Sequence, residues 1–102
     1  MAVGASLDTL EILYNELVTS MNQVDTMITQ VDSKLDQASA EWKGHGETQF
    51  REAWATGKTN LATLCQAFAR SASDLAEQHN HFRYAAREQG AAELNTSVVS
   101  PR

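Results

Sequence analysis

From Leu7 the apolar side chains recur at alternating steps of three and four: Leu7, Leu10, Tyr14, Leu17, Met21, Val24, Ile28, Val31, Leu35, Ala38 and Trp42. A repeat averaging 3.5 residues puts all of them on one side of an α-helix, as the a/d seam of a coiled coil does. The positions between are mostly Asp, Glu, Gln, Asn, Ser and Thr, so the opposite face is wetted. The pattern predicts a helix over 7–42, started by Ser6 or Asp8, with Glu11 three residues after Asp8 in capping-box spacing. The same seam resumes as Phe50, Trp54, Gly57, Leu61, Leu64, Phe68, Ser71, Leu75, Gln78, Phe82 and Ala85, which predicts a second helix over 48–90. Gly57 occupies a seam position usually held by a large residue. At a propensity cost of about 1 kcal/mol relative to alanine, it either lets a facing helix approach closely, the favoured reading, or marks a weak point.

Between the two seams lies a turn over 43–47. Gly44 is suited to the left-handed backbone that ends a helix, Gly46 is a second permissive position, and Thr48 is a reasonable N-cap for the second helix. Trp42 is the last seam residue before the turn. So short a connection makes the helices antiparallel and places the indole at the closed end of a hairpin. Gly90 reads as the residue after the second helix, with an extension over 91–94 left open, and 91–102 as a flexible tail in which Val98 and Val99 have no core to join.

Two rods, each roughly 55 Å long at 1.5 Å per residue, enclose no core of their own. Ile12, Leu13, Val18 and Met27 widen the stripe on the first helix, and Ala53, Cys65, Ala72, Ala76 and Ala86 widen it on the second. A stripe broader than one antiparallel neighbour can cover predicts a second hairpin and a four-helix bundle. The expected fold is therefore all-α: one helical-hairpin domain that dimerises with itself or a relative. The expected interface comprises Leu10, Leu13, Leu17, Met21, Val24, Ile28, Val31 and Leu35 from the first helix, with Trp54, Leu61, Leu64, Phe68 and Leu75 from the second.

Composition narrows the functions. In a chain of 102 residues with net charge −5, the eight Lys and Arg residues are scattered, which argues against nucleic acid as a partner. Asp25, Asp32, Asp36 and Glu41 leave the exposed side of the first helix acidic, whereas Arg51, Lys58, Arg70, Arg83 and Arg87 make the second more basic. The start of the chain lacks a basic segment, and Asp8, Glu11 and Glu16 interrupt the apolar run that a cleavable secretory signal requires. No window approaches the roughly 18 apolar residues of a membrane span, so stable membrane insertion is not expected. Cys65 has no partner for a disulfide and reads as a small buried hydrophobe.

Catalytic and metal sites lack their minimum parts. A di-iron bundle needs Glu-x-x-His, yet Glu77 is followed three residues on by Asn80. His-Glu-x-x-His, a cysteine pair and Gly-x-Ser-x-Gly are all missing, so neither an enzyme nor a cofactor is expected. His45 reads as solvated in the turn. His79 and His81 read as flank residues of the second helix, with Glu77 and His81 in spacing for a surface ion pair.

Trp42-Lys43-Gly44, set midway between two heptad helices in a chain of this length, resembles the Trp-x-Gly turn of the WXG family, the small early-secreted-antigen-like substrates of type VII secretion. The stretch 84–88, Tyr-Ala-Ala-Arg-Glu, is similar to that family's export pattern of Tyr, three residues, then Asp or Glu. Tyr84 and Glu88 share one helix face at this spacing. The resemblance covers about residues 5–90. It implies pairing with a WXG-family partner (a heterodimer favoured, a homodimer open), with this chain as the signal-bearing member. It also implies a cytoplasmic stage, export without a cleaved signal, and recognition of the tail by the secretion ATPase. Val98 and Val99 are the residues expected to dock on that ATPase. A cytoplasmic helical adaptor is the alternative, and a membrane-perturbing secreted effector ranks third.

Overall fold

The structure, a computed structural model, describes residues 3–85 and 92–102. It is an antiparallel hairpin of α1 (Val3–Ala38, 36 residues) and α2 (His45–Ala85, 41 residues), and no strand occurs among the described residues. Both helices begin earlier than the seams suggest. Ser6 and Asp8 lie inside α1 rather than capping it, and α2 starts at His45, so Thr48 is in its first turn, with its hydroxyl donating back to the Gly44 carbonyl at 3.2 Å.

Helix α1 also stops four residues short of Trp42. Ser39 turns its hydroxyl onto the Asp36 carbonyl at 2.7 Å, while the amides of Glu41 and Trp42 both close on the Ala38 carbonyl. These bonds satisfy the last carbonyls of the helix and redirect the chain. Gly44 then takes φ 113°, the left-handed backbone expected of it. Trp42 thus belongs to the turn. Its ring lies 5.8 Å from that of Phe50, which stacks in turn on Trp54 at 6.3 Å, so three aromatic rings close this end of the hairpin.

The seam between the helices joins unlike faces. α1 contributes the large side chains Leu7, Met21 and Ile28, and α2 contributes Cys65, Ala69, Ala72 and Ala76, all at most 4% exposed. Small residues on one helix leave room for large ones on the other and draw the axes together. This corrects the expected α2 seam. Ser71 and Gln78 are exposed, Leu64 is 42% exposed and Phe82 is 43% exposed, because the bulky stripe is turned outward by about one residue and the alanine stripe faces inward. Periodicity cannot separate two adjacent stripes that share one repeat. Size complementarity with α1 does.

Gly57 also differs from expectation, since a Cβ built on it meets nothing within 4 Å. No facing helix approaches there. Gly57→Ala should therefore stabilise the hairpin by about 0.5–1 kcal/mol through helix propensity, read as a higher urea midpoint at unchanged slope. A lowered midpoint would mean that another chain occupies the space.

Candidate interaction surfaces

The molecule measures 63 × 22 × 18 Å with a radius of gyration of 19.2 Å, where a compact domain of this length has about 13 Å. Its accessible surface is 6730 Å², roughly 1,000 Å² more than a monomer of this mass usually exposes. That excess is comparable with one side of a standard protein interface.

Much of the surplus is apolar and falls on one flank. Leu61, Phe68, Leu75 and Phe82 recur every seven residues along α2, beside the buried alanine stripe. Leu13 and Leu17 of α1 share a surface depression with Leu75, and Val24 packs with Phe68 against the buried Met21–Cys65–Ala69 cluster. Farther along, Val31, Leu35, Ala38, Trp42 and Phe50 line an open recess of about 470 Å³. The expected interface residues divide accordingly. Met21 and Ile28 are used inside the single hairpin, at 4% and 1% exposure, whereas Leu13 and Leu64 are open at 47% and 42%. Leu10, Leu17, Val24, Val31, Leu35, Trp54, Leu61, Phe68 and Leu75 are half-buried between those limits.

The other flank is polar. Gln66, Ser73 and Asn80 also recur every seven residues, two places before Phe68, Leu75 and Phe82, which is about 200° around the helix. Each bonds to the tail. Asn80 exchanges two hydrogen bonds with the backbone of Leu94, its amide donating to the carbonyl and its oxygen accepting from the N–H, both at 2.9 Å. Ser73 Oγ accepts from the Val98 N–H at 2.9 Å, and Gln66 Nε2 donates to the Arg102 carbonyl at 3.2 Å. Residues 92–102 therefore run antiparallel to α2 and rest against its polar strip. Val98 is half-buried against the Met21–Cys65–Ala69 cluster, while Val99 is 81% exposed.

α1 supplies a matching row, since Glu11, Asp25 and Asp32 share one heptad phase and all three carboxylates are engaged rather than bare. Asp25 receives the Arg102 guanidinium, Nε to Oδ1 at 2.7 Å, and Thr29 Oγ1 takes a second donor from it at 3.0 Å. Asp32 accepts from the Trp54 indole at 2.7 Å and pairs with Lys58 at 3.1 Å. The indole bond first, then Lys58, holds this carboxyl below its ordinary value of 3.8. A lowered folded-state value contributes stability above the unfolded value and loses it as pH falls through the folded one. Asp32→Asn should accordingly destabilise the hairpin at pH 7, and its difference from the parent should shrink as pH falls below 3.8 and be lost beneath the lowered folded-state value. A pH-independent difference in urea midpoints would rule this out.

Glu11 meets His79, which is fully buried rather than on the flank of the helix, with Nε2 2.8 Å from Oε1. Its Nδ1 lies 3.0 Å from Asn80 Oδ1. The reciprocal bonds to Leu94 fix which end of the Asn80 amide is the oxygen, so Nδ1 donates to it. The expected Glu77–His81 ion pair does not form, and both side chains are exposed. Cys65 is completely buried, its sulfur 3.6 Å from the Met21 carbonyl, and burial first, then the Asp25 charge, pushes its thiol up. Among the described residues no three His, Cys, Asp or Glu side chains gather as metal ligands, and no helix is long and apolar enough to cross a membrane.

Tyr84, expected in the export pattern, is 67% exposed near the end of α2. Its hydroxyl donates to Glu93 Oε1 at 2.8 Å, and the Arg83 guanidinium lies 5.4 Å from its ring centre. Glu88, its expected companion, and Gly90 lie outside the described residues. Trp42 and Gly44 stand together in the turn. The WXG100 family model, described as proteins of 100 residues with WXG, matches residues 5–87, which takes in both helices and that turn. The chain belongs to the WXG100 family. Its members are small helical substrates of type VII secretion, not known enzymes, and membership implies pairing with another WXG protein. No curated protein and no solved structure gives a match. The docked part of the tail, from residue 92, lies beyond the stretch matched by the WXG100 model.

Sequence reasoning missed the buried His79 and the Gln66–Ser73–Asn80 row. The row has a visible signal, polar residues repeating every seven along the edge of a seam, but its use depends on a segment far along the chain.

Proposed function

We propose that this WXG100 protein pairs through its apolar flank with a second hairpin of the family, forming a four-helix bundle, and is exported as that pair by a type VII system. A heterodimer is the favoured form, with this chain carrying the signal. Leu10, Leu13, Leu17, Val24, Val31 and Leu35 of α1 meet the partner beside Trp54, Leu61, Leu64, Phe68 and Leu75 of α2, and Met21 and Ile28 support them from beneath. The observation that carries the reading is the apolar flank on a hairpin with so much surplus surface. Buried apolar area contributes about 25 cal/mol per Å², which makes pairing the main available gain in stability.

The secretion ATPase then reads the C-terminal segment, through Tyr84 and Glu88 on one helical face and through Val98 and Val99 of the tail. Expression in a host that has the machine, with the full chain compared with one lacking residues 84–102, tests this. Export should be lost while pairing is retained. Undiminished export of the shortened chain would defeat the reading and leave a cytoplasmic adaptor in its place.

A further inference from the structure

We infer that residues 92–102 form a latch, held on the polar flank of their own hairpin, that keeps the tail closed while leaving the apolar flank free for a partner. Three observations meet in it. The holding side chains Gln66, Ser73 and Asn80 repeat at the heptad interval, so one strip of α2 offers a bonding group at every second turn. The tail answers at every fourth residue, with Leu94, Val98 and Arg102. Seven helical residues span about 10.5 Å and four extended residues at most about 14 Å, so the two spacings match without strain. Between these polar contacts Val98 covers the exposed edge of the Met21–Cys65–Ala69 cluster, and Arg102 fastens the strap across to Asp25 and Thr29 of α1.

The two flanks divide the work. Because the latch strip and the Leu61–Phe68–Leu75–Phe82 strip lie on opposite sides of the α2 seam, pairing and latching do not compete. What the latch engages is Val98, half-buried against the cluster, and the Tyr84 hydroxyl, through its bond to Glu93. The consequence for export rests on the recognition reading above: a reader of the tail must first open the latch. A tail open for a fraction f of the time binds with its dissociation constant raised by 1/f.

Amide hydrogen exchange on the full chain tests the latch directly. The N–H groups of Leu94 and Val98, which donate to Asn80 and Ser73, should exchange at least roughly tenfold more slowly than an unstructured peptide. Asn80→Ala should release Leu94, Ser73→Ala should release Val98, and Arg102→Ala, which leaves the hairpin untouched, should speed exchange at Val98. The core amides of Cys65 and Ala69 should stay slow throughout. Unstructured rates at Leu94 and Val98 in the parent, or unchanged protection in all three variants, would overturn the proposal. Binding of the secretion ATPase to the Ser73→Ala, Asn80→Ala double variant should strengthen by the lost protection factor. No binding by either protein, with the amides protected, would overturn the recognition reading and leave the latch standing.

Discussion

Leu64→Asp with Leu75→Asp leaves each hairpin helical and abolishes its pairing. Both side chains sit on the outer flank of α2, away from the Cys65–Ala69–Ala72–Ala76 stripe that holds α1, so the hairpin itself loses little. In the bundle, however, the same positions are enclosed by a second apolar surface, and an unpaired carboxylate buried there is strongly opposed. The expected loss is about 4 kcal/mol, roughly a thousandfold in dissociation constant. Sedimentation equilibrium of the parent and the variant, each with its partner and alone, measures it, with far-UV circular dichroism as the check on helicity. A bundle mass that persists in the variant would place the interface elsewhere on the hairpin.

The second large effect belongs to His79. Its ring fills the seam at 0% exposure and joins three parts of the chain: Glu11 on α1, Asn80 on α2 and, through Asn80, Leu94 of the tail. His79→Ala opens a cavity and leaves one oxygen of Glu11 and one of Asn80 facing it with a bond lost. The two costs together come to about 3 kcal/mol, or roughly 15 °C in melting temperature for a chain of this size. His81→Ala, two residues along on the exposed side, should change stability by less than about 0.5 kcal/mol. Melting both in the Leu64→Asp, Leu75→Asp background removes the dependence on protein concentration. Equal melting temperatures for the two histidine variants would show that the seam does not depend on this ring.

The contrast between these histidines shows what could be read in advance. Both read from the sequence as flank residues of one helix, yet His79 is buried against Glu11 of α1 and His81 is exposed. Which of them is buried depends on the rotation of α2 about its own axis. That rotation is set by α1: Leu7, Met21 and Ile28 are too large to face Leu64 and Leu75 closely, so the helix presents its alanines instead and carries His79 inward. The same rotation turns the leucine and phenylalanine stripe to the outside, where it becomes a surface for another chain. An expectation built on hydrophobicity alone chooses the bulky stripe as the seam, since alanine is weakly apolar; packing chooses by volume.

The tail is the other case. Gln66, Ser73 and Asn80 are ordinary surface residues of a helix, and Val98 and Arg102 are ordinary residues of an irregular segment. Their pairing joins positions 14 to 36 residues apart along the chain. Local propensity carries no information about such contacts, because the bonds form only once both helices present their groups in a row. The Asp25 and Asp32 carboxylates illustrate the same point from α1, where an apparently solvated acidic face is in fact occupied by Arg102, Trp54 and Lys58.

By itself the sequence determined the number and type of the elements, the antiparallel hairpin, the left-handed turn at Gly44 and the family, because heptad spacing, glycine stereochemistry and the Trp-x-Gly position are local properties of the chain. Only the tertiary structure decided which stripe of α2 faces inward, which histidine is buried and where the tail rests, because those depend on the fit of one surface's volume and bonding groups to another's.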